Sequence, residues 1–325
     1  MSRQLSYAKA ILEATDQAMQ LSNDVVVLGQ LVDTPSGIFG TTTGLVNKHG
    51  PERVQDFAVS ENLMTATAMG AALTGLRPLI IHQRLDFMIY SLDSIVNWLA
   101  LWRFKSNQQS SMPVTIRMIV GKGWGQGPQH SKSLHTWFAH VPGLRVAVPA
   151  TAYDAKGLML ESLFGETPSL IVEGRGLYSM TDHVPEEPYR VRFGQAAIRR
   201  EGTDVTVVAI GIMVPLALRA AAILEKEGIS VEVVDPRSIA PLDRKTICDS
   251  AFKTRRLVVT DPSWHSFGAA GEIVTSVVEN LGDKLRAKPV RVTLPDSHTP
   301  MSSALETEYY PDENDIVAAV RETLK

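Results

Sequence analysis

Residues 117 to 150 read RMIVGKGWGQGPQHSKSLHTWFAHVPGLRVAVPA, and this stretch decides the fold. An apolar run enters it, four alternating glycines follow, and after a helical patch a second apolar run, LRVAVP at 144 to 149, leaves it. That layout is a loop slung between two covered strands, the usual place for functional side chains. Gly121, Gly123, Gly125 and Gly127 remove the side chains that would bar a ligand or another backbone, and they permit positive φ. His130 stands at the loop's exit, inside Gln129-His130-Ser131. Taken alone, the tract is equally a glycine-rich turn with a surface histidine. It matches neither G-x-x-x-x-G-K-[ST] nor a G-x-G-x-x-G that opens a helix, so neither phosphate loop is supported.

Working outward, the alternation continues on both sides. VVVLG (25 to 29), RPLIIH (77 to 82), VTIRMIV (114 to 120) and SLIVEG (169 to 174) are short and largely apolar, as in parallel strands covered on both faces. Helical patterns lie near 61 to 75, 91 to 105 and 152 to 164. Residues 181 to 193 carry prolines and clustered acids with little periodicity, which marks a connector. Beyond it, DVTVVAIG (204 to 211), SVEVVD (230 to 235) and RLVVTD (256 to 261) alternate with helical spacing at 213 to 227, 243 to 252 and 268 to 281. The expected fold is α/β, with two doubly wound domains: residues 1–180, a linker at 181–193, and residues 194–325.

Composition narrows the classes of function. The chain has 325 residues and a net charge of −3 with dispersed basic residues, so no concentrated positive face for nucleic acid is expected. The single cysteine, Cys248, can form no intrachain disulfide and no thiolate metal site, which fits a reducing compartment. The amino terminus lacks an export pattern and the apolar runs fall short of about 20 residues, so a cytoplasmic protein with no membrane span is expected.

The tract at 117 to 150, together with GPERVQDFAVSEN (50 to 62), GAALTGLRPLI (70 to 80) and DFMIYSLDSIVN (86 to 97), resembles the thiamine diphosphate enzymes. More narrowly, it is similar to the beta subunit of the decarboxylating component of 2-oxo acid dehydrogenases. The likeness runs on through TAYDAKGLMLESL (151 to 163), GISVEVVDPRSIAPLD (228 to 243) and SWHSFGAAGEI (263 to 273). The resemblance implies a pyrimidine-binding domain followed by a transketolase-type carboxy-terminal domain. It also implies thiamine diphosphate as cofactor.

Three positions carry the implied chemistry, and a fourth lines it. Glu61 opens an alanine-rich helix, where an acid in the first turn also complements the helix dipole. The resemblance gives it a second role: a hydrogen bond to the aminopyrimidine nitrogen, promoting the tautomer that takes the proton from the thiazolium carbon. Phe87 follows the strand RPLIIH, where open α/β sheets hold ligands, and the resemblance makes it the ring that stacks on the aminopyrimidine rather than a core residue. His130 matches the histidine of the family's Q-H-S motif, which donates a hydrogen bond or proton toward the reacting carbonyl. Gln83 is a candidate to line the cofactor. His135 and His140 lie on the helix that follows, where packing and capping are expected, and His265 lies in a loop of the second domain.

Two departures stand out. Gln30 replaces the glutamate that related beta subunits commonly carry after the glycine of VVVLG, and Leu85 replaces a second aromatic two residues before Phe87. These leave two reactions open: decarboxylation of a 2-oxo acid with acyl transfer to a lipoyl group, or two-carbon transfer by a split transketolase-like or acyloin-forming enzyme. A noncatalytic scaffold is the reading from another class. The chain contains no GDG, the motif through which the family holds Mg²⁺ and the diphosphate. The resemblance therefore implies no metal ligands here, an alpha subunit that supplies them, pairing of beta chains in a heterotetramer, and a lipoyl acyltransferase as a further partner. It also allows K⁺ on loop carbonyls around 162 to 167.

Overall fold

The computed structural model describes residues 3–121 and 125–325, and these form two compact α/β units. The first comprises residues up to 120 together with 137–193; the second comprises 194–325 together with the described residues of 121–136. The segment that carries His130 thus belongs to the second unit, and Gly123 lies outside the described residues.

In the first unit six strands run parallel in the order Arg145–Ala147, Ser169–Gly174, Thr115–Val120, Arg77–His82, Val25–Gly29, Val54–Asp56. Val25–Gly29, Thr115–Val120 and Ser169–Gly174 are buried along their whole lengths, which is why they read as largely apolar runs. Helices Tyr7–Leu21 and Ala152–Leu163 pack on one another, and Glu61–Leu73 packs on strand Arg77–His82. Ser6 and Thr151 cap the first two by accepting the backbone N–H of Lys9 and Asp154. A charged group inside this core is compensated: the ammonium of Lys156, fully buried, is bonded to Glu13 at 2.6 Å and to the carbonyls of Pro185 and Glu186.

The connector packs along the first unit. Thr181–His183 pairs antiparallel with Gln4–Ser6, Tyr189 stacks on Tyr153 with ring centroids 4.5 Å apart, and the Val191 N–H donates to Gly157 O.

The second unit holds five strands in the order Val290–Leu294, Leu257–Trp264, Val205–Ala209, Val231–Asp235, Ala197–Arg200, the last antiparallel to its neighbour and the rest parallel. Helices Met213–Glu225, Arg244–Thr254, Ala269–Leu281 and Glu313–Leu324 pack against these strands. Asp243 caps one of them and Asp312 closes a capping box on another. Cys248 is half-buried, and burial followed by the nearby Asp249 charge raises its thiol above the ordinary range, the opposite of an activated cysteine. No helix of the described residues is long and apolar enough to cross a membrane.

Candidate active site

The carboxyl ends of the first unit's strands carry the candidate residues, the edge where parallel sheets present ligand-binding loops. Val54–Asp56, Val25–Gly29 and Arg77–His82 lie side by side, with Gly29 paired to Asp56 on one flank and to Ile81 on the other. Gln30 leaves the middle strand, the turn that leads to Glu61 leaves one neighbour, and the turn that leads to Phe87 leaves the other. The three loops therefore start from adjacent positions.

Glu61 is half-buried at the first position of helix Glu61–Leu73. Met64, Ala68 and Ala72 bury one stripe of that helix, spaced four apart, and hold its axis against the sheet. The Ser60 side chain makes no capping bond, so the helix start is anchored elsewhere. Asn62 supplies the anchor: its Oδ1 accepts a hydrogen bond from Ser94 Oγ at 2.6 Å. Ser94 lies in the stretch after Phe87, where a helix was expected over 91 to 105. The structure instead forms a 3₁₀ turn at Ile89–Ser91, a π-helical segment at Asp93–Leu99, and only then α-helix at Ala100–Lys105. Wide turns of this kind re-aim side chains and recur at functional sites.

Phe87 is half-buried within the short helix Leu85–Met88, and Gln83 is half-buried in the turn before it. Leu85 is fully buried and contributes to the core beneath the turn. The same turn buries His82, Arg84 and Asp86, three ionisable side chains that sequence spacing did not single out. Burial drives the His82 pKa down to about 3, so the imidazole is neutral at physiological pH, and neither ring nitrogen has a hydrogen-bond partner. The Gln30 amide nitrogen is likewise buried without a partner. The first unit therefore offers a carboxyl group, a flat aromatic ring and an amide around one strand edge. That donor set fits a planar heteroaromatic ring with polar edges.

His130 is half-buried after the 3₁₀ turn Gly127–Gln129 and sits in the second unit. Gly125 and Gly127 do adopt positive φ, +66° and +65°. A Cβ on Gly127 would stand 2.5 Å from Met301 Cγ, so the tract lies flush on the 301 segment. The structure thus places Glu61, Gln83 and Phe87 in one unit and His130 in the other. His135, expected as a packing residue, is fully buried in an ion-pair-like contact with Asp261. Nothing in the spacing reveals that contact, which joins positions 126 apart. His265 is exposed, donates or accepts at Thr293 Oγ1 through Nδ1, and meets Arg291 through Nε2 at 2.6 Å.

Among the described residues no group of three or more His, Cys, Asp or Glu is arranged to hold a metal ion. In the loop at 162 to 167, Arg77 donates to the carbonyls of Leu163 and Gly165, and the Met112 N–H and Ser169 Oγ donate to those of Glu166 and Thr167.

Comparison with known proteins agrees with this architecture. Residues 3–181 match the transketolase pyrimidine binding domain and residues 194–316 the transketolase C-terminal domain. The chain is 39% identical to the acetoin:2,6-dichlorophenolindophenol oxidoreductase subunit beta of Cupriavidus necator, over 100% of this chain and 99% of that one. It is 35% identical to the pyruvate dehydrogenase E1 component subunit beta of Bacillus subtilis, covering 99% of each. Among solved structures, a split-gene transketolase described as an inactive beta4 tetramer superposes with a TM-score of 0.80 at 26% identity, over 98% of both chains. The chain belongs to the transketolase-like family, among the beta subunits of thiamine diphosphate-dependent dehydrogenases.

Proposed function

We propose that this chain is the beta subunit of a thiamine diphosphate-dependent 2-oxo acid dehydrogenase, acting with an alpha subunit to decarboxylate its substrate and pass the acyl group to a lipoyl carrier. The observation that carries this reading is Glu61 at the head of a helix anchored through Asn62, beside the strand end that leads to Phe87. The cofactor, when bound, would supply a carbon nucleophile for the 2-oxo group and an acceptor for the electron pair freed by decarboxylation. Glu61 holds a proton at the ring nitrogen and so prepares the amino group to act as base. Phe87 stacks on the aminopyrimidine, Gln83 hydrogen-bonds at its edge, and His130 donates to the oxygen that gains charge as the carbonyl is attacked. With no GDG in this chain, the reading assigns Mg²⁺ and the diphosphate to the alpha subunit. In the loop at 162 to 167 the carbonyls of Leu163, Gly165, Glu166 and Thr167 accept protein donors, and K⁺ is given no role in the reaction.

Partner chains are supported by large apolar side chains left in solvent: Val59, Tyr90 and Phe104 are 82%, 76% and 86% exposed. Pairing of two beta chains with two alpha chains in a heterotetramer would cover such surfaces.

A second reaction, transfer of a two-carbon unit, is kept open by Gln30, whose amide nitrogen is buried without a partner at the position where the resemblance implies that a glutamate is common. The complex of this chain with its alpha subunit separates the two. Acylation of a lipoyl domain on addition of a 2-oxo acid supports the dehydrogenase; ketol transfer between sugars without lipoyl acylation replaces it with the transferase. Failure of the assembled complex to bind thiamine diphosphate leaves a scaffold.

A further inference from the structure

His135 and Asp261 are 126 positions apart and meet inside the second unit, with His135 Nε2 3.0 Å from Asp261 Oδ1 and both side chains fully buried. The carboxylate is committed on every side. Its Oδ1 also accepts the Ser263 N–H at 3.1 Å, and its Oδ2 accepts the Ala270 N–H at 3.0 Å, in the first turn of helix Ala269–Leu281. An ionised carboxylate only accepts, so His135 donates from Nε2. Five residues earlier stands His130, and between them Ser131, Ser133 and Leu134 are buried. On the other side of His130 the chain lies on Met301 at Gly125 and Gly127, where an added Cβ would stand 3.0 Å from Met301 O and 2.5 Å from its Cγ. The segment is therefore seated at both ends, and His130 stands half-buried between the two seats.

We infer that His135 is a positioning residue for His130, its hydrogen bond to Asp261 fixing the 127–134 segment to the second unit so that this unit sets where the imidazole of His130 stands. The inference builds on the role given to His130 above. A bond from a histidine to a carboxylate that already holds two backbone donors has one geometry, and the four-residue span leaves His130 little freedom once it forms. Burial of both partners keeps water from replacing it.

The test uses the assembled complex with thiamine diphosphate and Mg²⁺, comparing wild type with His135→Ala, His135→Gln and His130→Ala. Glutamine keeps a donor near the Nε2 position and serves as the conservative rescue. Amide hydrogen exchange over 128–134 is expected to quicken by about tenfold or more in His135→Ala and to stay near wild type in His135→Gln. Turnover of the 2-oxo acid in His135→Ala should fall toward that of His130→Ala, and the double variant should be no slower than His130→Ala alone. Exchange of the thiazolium C2 proton, which reports on Glu61, should be unchanged, which a general loss of structure would not allow. Unaltered amide exchange over 128–134 in His135→Ala overturns the inference, as does a loss of turnover that multiplies with that of His130→Ala. Absence of turnover in the wild-type complex counts against the functional reading, while amide exchange still decides whether His135 pins the segment.

Discussion

The hydroxyl of Ser94 donates to Oδ1 of Asn62 at 2.6 Å, tying the first turn of the helix that begins at Glu61 to the π-helical segment that follows Phe87. Glu61 and Phe87, to which the proposed function gives separate roles toward one ring, are thus referenced to each other through their neighbours. Ser94→Ala removes one hydrogen bond, and the exposed Asn62 side chain can be solvated in its place, so the fold should lose only about 1 kcal/mol. Turnover should fall further, by about tenfold, because small displacements of a positioned group are costly. Thermal unfolding and steady-state kinetics on the same preparation check the difference; equal, minor changes in both would show that the bond does not position Glu61.

Arg117 and Glu173 face each other across adjacent strands, with Nε to Oε1 at 2.5 Å and Nη2 to Oε2 at 2.9 Å, both buried. The Tyr178 hydroxyl donates to the same carboxylate, and burial followed by the Glu173 charge holds its pKa well above the ordinary range. Glu173→Ala strands the guanidinium in the core and should destabilise by about 3–5 kcal/mol, whereas Arg117→Met with Glu173→Leu should cost much less. Urea unfolding of the single and double variants measures both.

His82 gives the fold a defined acid sensitivity. Its folded pKa of about 3 lies below the 6.5 of an ordinary histidine, so between those values the unfolded chain binds the additional proton. The contribution is complete above pH 6.5 and is lost as pH falls toward 3, with a limiting slope of about 1.4 kcal/mol per pH unit. His82→Phe should remove that slope and, with no unpartnered nitrogens to bury, should be at least as stable at pH 7. Stability curves from pH 7 to 4 provide the check; an unchanged slope would mean that His82 is not the group that titrates.

The sequence made the parallel strands legible because both of their faces are covered and their runs are largely apolar: 169 to 174 is recovered in full, and 25 to 29 and 77 to 82 likewise. Three further elements were not singled out. Val290–Leu294 alternates at a sheet edge, Ala197–Arg200 ends in two arginines, and Glu313–Leu324 is stripe-like and short. The helix expected over 91 to 105 is broken by a π segment that no local propensity encodes. Glu61, Gln83, Phe87 and His130 are candidates that the sequence singles out through their motifs, each set in a glycine turn, a strand end or a helix start. The contacts that hold them were not, because Asn62 with Ser94 and His135 with Asp261 join positions that only the folded chain brings together.

The central claim is that Glu61 prepares the cofactor for attack, and the direct measurement is exchange of the thiazolium C2 proton of thiamine diphosphate for deuterium. It should be made in the complex of this chain with its alpha subunit, wild type against Glu61→Gln, alongside cofactor affinity. Glutamine keeps the size and loses the carboxylate that relays the proton, so the account predicts that both complexes bind the cofactor and that exchange slows by about 10² or more in the variant. Exchange at the wild-type rate in a Glu61→Gln complex that has bound its cofactor would contradict it.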